Sequence, residues 1–162
     1  MNKIALVTTG GTIDKDYFDA LSEYQIAESV VPELIARIGT GIELTVYPLL
    51  RKDSLELTDL DRAKIVDTVG ALTEDKVLIT HGTDTMVHTA SQLQEAKLDK
   101  TIVITGAMKP ARFQDTDAVF NVGVAVGALQ AAEQGVYIAM SAQVFVPNAV
   151  VKDRAAQQFV AK

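Results

Sequence analysis

Two short segments combine glycine with hydroxyl side chains in a way that suits acyl transfer: Thr8-Thr9-Gly10-Gly11-Thr12-Ile13 and His81-Gly82-Thr83-Asp84-Thr85. A threonine hydroxyl becomes nucleophilic only when a base takes its proton. Glycine beside it admits a substrate close to the main chain, and neighbouring N–H groups stand ready to stabilise an oxyanion. Gly-Gly-Thr taken alone serves equally as a structural turn, because turns after strands are rich in both residue types. The segment has neither the Gly-Lys-Ser/Thr of a phosphate loop nor the three-glycine spacing of a dinucleotide site.

The second segment carries more information. Thr83 and Asp84 fall where a helix is expected to start. Asp84 therefore either caps that helix or holds a substrate ammonium while helix N–H groups hold the same substrate's carboxylate. An α-amino acid carries both charges. Ser54, after an apolar run, falls on the same expected rim, and on its own reads as a turn residue. Lys152 follows Val150-Val151 and reads as an ordinary lysine unless it points into the site, where an amine can act as a base. His81 and His88 are seven apart, which is not the spacing of a helical metal pair. Both are read as structural, and no metal is expected.

These groups need a frame. Apolar runs at Ile4–Thr8, Ile42–Tyr47, Val77–Thr80, Thr101–Thr105 and Val136–Met140 lack strict alternation, which predicts central strands covered on both faces. Helical spacing links Val30, Val31, Leu34, Ile35 and Ile38, with Gly39 as a stop. Thr58-x-x-Asp61 resembles a capping box ahead of a helix that presents Leu60, Ala63, Val66 and Val69 on one face. A third helix is expected from Thr83 or Asp84, aligning Met86, Ala90 and Leu93, and a fourth from about Thr116 to Gln134, stopped by Gly135. The alternation predicts an α/β fold of three layers, a mostly parallel sheet between helices, with the site at the C-terminal rim of the strands. The polar segment Lys15–Ala27 carries Tyr17, Phe18 and Tyr24 without a clean period. It reads as a lid over the site or as a plain long connection.

At 162 residues the chain suits one domain, 1–162, with a sizeable core. Its net charge of −6 argues against nucleic acid as a partner. The absence of cysteine excludes disulfides and thiolate chemistry and suits the cytoplasm. No run approaches the roughly 20 apolar residues of a membrane span, so no membrane partner is expected. The stretch Ala118–Leu129 is apolar on nearly every side. A helix of that kind is buried all round, either under loops of this chain or, with Gly123 and Gly127 on its outer face, against a second copy in a homodimer or larger assembly.

The two glycine–threonine segments together resemble the signature motifs of the bacterial-type L-asparaginase/glutaminase family. Asp53-Ser54, Val103-Ile104-Thr105-Gly106-Ala107-Met108-Lys109-Pro110 and Val150-Val151-Lys152 extend the likeness from residue 4 to about 160, the span of the family's N-terminal domain. The resemblance implies hydrolysis of L-asparagine to L-aspartate and ammonia through a threonine acyl-enzyme, with no cofactor. It implies Thr12 as nucleophile, Tyr24 as the lid tyrosine that activates it (Tyr17 the other candidate), and Thr83, Asp84 and Lys152 as the second catalytic set. Gly11, Ser54, Gly82, Thr83 and Asp84 are then the substrate-binding residues. Two departures from the family pattern stand out. The family's smaller C-terminal domain, which lends an acidic group to the site of a neighbouring protomer, is expected to be absent. Leu55 stands where many members carry glutamine, which removes one polar contact and puts glutamine use in doubt. The rival readings are a non-catalytic amino-acid-binding module, and an amidase that acts on a larger amide or supplies ammonia to a partner.

Overall fold

The computed structural model describes residues 2–39 and 41–162. In chain order the strands and α-helices are β1 (Asn2–Gly10), β2 (Lys15–Phe18), β3 (Glu23–Ile26), α1 (Val31–Arg37), β4 (Ile42–Lys52), α2 (Asp59–Ala71), β5 (Lys76–Thr80), α3 (Met86–Glu95), β6 (Thr101–Thr105), α4 (Ala118–Ala131), β7 (Gly135–Met140), β8 (Gln143–Phe145), β9 (Val150–Asp153) and β10 (Gln158–Ala161). Among the described residues, six strands form one sheet in the order β4-β1-β5-β6-β7-β8. Its pairings are parallel except for β7 with β8. Ser141 and Ala142, with φ of 52° and 62°, make the tight turn between those two. Two positive φ values in a row give the turn the twist that an antiparallel pair needs.

The five apolar runs are the five parallel strands, and β1, β5, β6 and β7 are largely buried. The run Ile42–Tyr47, expected to be covered on both faces, lies instead in β4 at the edge of the sheet, where it is only partly buried. Ala5, Val7, Val77, Ile79, Ile102 and Ile104 enter one core with Ile65 and Val69 of α2 and Met86, Ala90 and Leu93 of α3. Ile4, Leu6, Leu78 and Val103 point the other way, onto Val31 and Ile35 of α1 and Val122, Ala125 and Leu129 of α4. Successive residues of one strand thus feed opposite cores, as a period of two requires. This is the expected three-layer α/β fold.

The helices depart from expectation in detail. Thr58 and Asp61 do form a reciprocal capping box. The buried face of α2 is nevertheless Arg62, Ile65 and Val69, while Leu60 is 83% exposed. The Arg62 guanidinium turns inward and donates to Leu57 O at 3.1 Å, which rotates the helix from the face that apolar spacing favoured. The third helix begins at Met86, two residues beyond Asp84. The fourth ends at Ala131, and Gly135 opens β7 instead of stopping a helix. Lys15–Ala27 is neither a plain connection nor an irregular lid. It contains the antiparallel hairpin β2–β3, in which Tyr17 pairs with Tyr24.

Candidate active site

The rim of the sheet is knit by main chain packed on main chain. β1 and β5 lie side by side with Thr8 opposite Thr80, and both run on into glycine turns. Gly11 has φ +87°, and a side chain there would run into the backbone of Gly82. Gly82 lies in turn against Ser54, whose Oγ would be 2.7 Å from a Cβ at that position. Only glycine tolerates such approaches, which explains the residue type at both positions. The stack brings together the turns after β1, β4 and β5. Thr12 leaves the first glycine and opens a single 3₁₀ turn, Thr12–Asp14. Thr83 leaves the second.

Ser54 is buried and held by its neighbour across the stack. Its carbonyl accepts from Thr85 Oγ1 at 2.8 Å, and its hydroxyl accepts from the Thr85 N–H at 3.3 Å. The N–H of Gly11 donates to Lys52 O at 3.0 Å. That group is committed to the fold and is not a free donor for an oxyanion, contrary to the simplest reading of the Gly-Gly-Thr segment.

Lys152 reaches the site because of how its hairpin is buried. In β9, Val150 is buried and Val151 is 44% exposed, so alternation turns Lys152 to the inner side with Val150. Phe159 of β10, directly opposite Lys152, is fully buried and fixes the register. The Lys152 ammonium then donates to Thr83 Oγ1 at 2.8 Å and to Asp84 Oδ1 at 2.9 Å. Asp84 therefore does not cap α3, whose N-cap position is Thr85 with no side-chain capping bond. Its carboxylate pairs instead with two cations, Lys152 and Arg154, the latter at 3.4 Å.

Tyr24 and Tyr17 meet in a tilted pair across the hairpin with ring centroids 5.2 Å apart, and Tyr24 also meets Phe113 at 5.8 Å. Both rings are about half exposed. Among the described residues neither phenol hydroxyl is hydrogen-bonded to Thr12, so this geometry keeps both tyrosines as candidates. His81 is fully buried beneath the rim. Its ring nitrogens meet Gly82 O and Thr89 Oγ1, each at 2.7 Å. Burial holds its pKa down to about 4, partly offset by the bond to Gly82 O. His88 is exposed on α3, where its Nε2 meets Gln92 Nε2 at 3.2 Å.

Two residues outside the motifs reach this region in three dimensions. Arg154 lies in the turn just past β9 and reaches Asp84 from there, and no periodic signal in the sequence points to it. Asp14, two residues after Thr12, is buried with its Oδ1 unpartnered. Burial raises its carboxyl to about 6, against the lowering effects of a Ser29 hydrogen bond and the charges of Arg112 and Arg51. It lines a cavity of about 300 Å³ with Gly10, Ser29 and Arg51, on the side of β1 facing β4.

Comparison with known proteins accounts for this architecture. Residues 3–159 match the family described as asparaginase, N-terminal. The L-asparaginase 2 of Escherichia coli (strain K12) is 33% identical over 131 residues, which are 76% of this chain and 37% of that protein. The glutaminase-asparaginase of Acinetobacter glutaminasificans is 28% identical over 164 residues, 93% of this chain and 50% of its own. A component of the glutamyl-tRNA(Gln) amidotransferase of Haloquadratum walsbyi is 33% identical over 147 residues, 86% of this chain and 33% of its own. The solved thermostable L-asparaginase of Thermococcus kodakarensis superposes with a TM-score of 0.86 at 23% identity, covering 98% of this chain and 51% of that one. The chain thus spans about half the length of curated relatives such as the Acinetobacter protein. With the glycine–threonine rim in place and the match running from end to end of the sheet, the chain belongs to the asparaginase family, whose N-terminal domain it matches.

Proposed function

We propose that this rim hydrolyses L-asparagine to L-aspartate and ammonia through an acyl-enzyme on Thr12, without a cofactor. In the first step Thr12 Oγ attacks the side-chain amide carbon, and its proton is relayed through the Tyr24 phenol to the amide nitrogen. The C–N bond breaks, that nitrogen leaves as ammonia, and Tyr24 is left neutral as it began. Water then attacks the ester and releases aspartate and Thr12. Thr83, Asp84 and Lys152 form the second set. The contact of Lys152 Nζ with both Thr83 Oγ1 and Asp84 Oδ1 is the observation that supports this reading most, because a pure binding module has no need of an amine on a hydroxyl. Asp84 takes the substrate's α-ammonium and Ser54 its α-carboxylate, with Gly11 and Gly82 giving the ligand close access to the main chain. Leu55 is 64% exposed and apolar. It offers no polar contact at the position after Ser54, which favours the shorter amide over glutamine.

Purified protein supplied with L-asparagine, L-glutamine and D-asparagine should release ammonia from the first. Thr12→Val should lower turnover by several orders of magnitude while the fold persists, and Thr83→Val and Lys152→Met should each be nearly as damaging, as for residues that act as a unit. Wild-type ammonia release from Thr12→Val would end the assignment.

A second reading is an amidase that acts on a larger amide or supplies ammonia to a partner. The amidotransferase component among the relatives supports it, as does the exposure of the hairpin tyrosines. Ammonia release from a bulkier amide, with none from free asparagine, would select it. The assembly proposed is a homodimer or larger through the outer face of α4, in a reducing compartment such as the cytoplasm, which a cysteine-free chain suits.

A further inference from the structure

Asp84 is the one carboxylate assigned to the substrate's ammonium, yet in the ligand-free protein its Oδ1 already faces two cations. The Lys152 ammonium lies 2.9 Å away and the Arg154 guanidinium 3.4 Å away. Lys152 is well enclosed, with 15% of its side chain exposed, and it is also tied to Thr83. Arg154 is different: 67% of its side chain is in solvent, it sits in the turn between β9 and β10, and its contact with Asp84 is the single ion pair seen for it among the described residues. One negative charge against two positive ones leaves this corner with a net positive charge, which disfavours an incoming ammonium and favours an anion.

We propose that Arg154 is a specificity-determining residue that competes with the substrate's α-ammonium for Asp84, and so weakens the site's preference for ligands that carry a free amine. The proposal rests on Asp84 being the ammonium site. An exposed ion pair is weak and readily exchanged, so Arg154 tempers selection without blocking entry. When an ammonium arrives, the guanidinium gives up its place and moves into solvent, and Lys152 keeps its bonds to Thr83 and Asp84. When the ligand has no amine, Arg154 stays and its charge helps to hold the ligand's carboxylate.

The test is calorimetric binding of L-aspartate and succinate to the wild type, Arg154→Gln and Arg154→Lys. The two ligands differ only in the amine. Arg154→Gln should bind aspartate up to about fivefold more tightly, with succinate unchanged or weaker, the scale expected for one exposed charge pair. Arg154→Lys keeps the charge and should resemble the wild type. Because the side chain is exposed, both variants should melt at the wild-type temperature. An unchanged aspartate-to-succinate ratio in Arg154→Gln, with both ligands bound by the wild type, would overturn the role of Arg154 and leave the site reading intact. Failure of all three proteins to bind either ligand would overturn the site reading, and this inference with it.

Discussion

Asp14 shows how burial beside the site sets the protonation of one group and, through it, stability. Its carboxyl titrates near 6 because burial penalises the charged form, and Ser29, Arg112 and Arg51 only partly offset that penalty. In the unfolded chain the same group ionises near 3.9. Between about pH 4 and 6 the native state therefore holds a proton that the unfolded state has lost. Stability from this group is fully present below that window and is lost as pH rises through it. Asp14→Asn removes the penalty at neutral pH and changes little in acid. Thermal melts should show the variant gaining on the wild type by roughly 2–3 kcal/mol between pH 4 and 7.5, and an equal gap at both pH values would refute this. His81 pulls in the opposite sense over about pH 4–6.5, since burial disfavours its charged form, but it does so equally in both proteins. At this scale Gly11, Gly82, Thr83 and Asp84 were legible as two glycine–threonine segments at expected strand ends, whereas Ser54 and Lys152 looked like a turn residue and an ordinary lysine and stood out only through the family resemblance. Asp14 and Arg154 were legible in neither way. A buried carboxylate looks like any other aspartate until the chain that covers it is in place.

Among the elements, the β9–β10 hairpin governs where the amine goes. Lys152 lies on the inner side because Val150 and Phe159 are buried beneath it, so the position of Nζ is set by hydrophobic packing. Phe159→Ala should cost about 3–5 kcal/mol and reduce turnover beyond what lost stability explains. Val151→Thr, on the outward face, should leave both nearly unchanged. Melting curves and ammonia kinetics on the two variants would decide, and a destabilised but fully active Phe159→Ala would show that the amine is positioned by its own hydrogen bonds. The central strands β1, β5, β6 and β7 were readable because burial on both faces leaves an unbroken apolar run, whereas β4 shares the apolar run but lies half-covered at the edge. The face of α2 was not readable from apolar spacing, since Arg62 turns inward to satisfy Leu57 O and leaves Leu60 in water. Nor was the β2–β3 hairpin, whose pairing rests on cross-strand contacts such as Tyr17 with Tyr24 and not on a periodic pattern.

For the molecule as a whole, α4 leaves a question of association. Its inner side is buried, but Val119 and Phe120 are 56% and 63% exposed, and nothing lies within 4 Å of where a Cβ would stand on Gly123 or Gly127. Among the described residues, therefore, no loop of this chain hides it. With Leu34, Ile38 and Ile42 this face borders a cavity of about 510 Å³, wide enough for close approach of a second helix. Light scattering at micromolar concentration should find a dimer or larger assembly, and Gly123→Glu should dissociate it and lower activity together; a fully active monomer would refute the arrangement. The hairpin raises a different issue. It stands outside the six-stranded sheet, held mainly by Arg112 to the carbonyls of Asp14 and Glu28, by Lys15 to Asp53 and by Tyr24 on Phe113. Its tip, residues 19–22, is exposed. A protease that nicks the chain there would sever the strand carrying Tyr24 from the one carrying Tyr17 that leads out of Thr12, while both cores stay whole, so the nicked protein should keep its architecture and lose the proposed turnover.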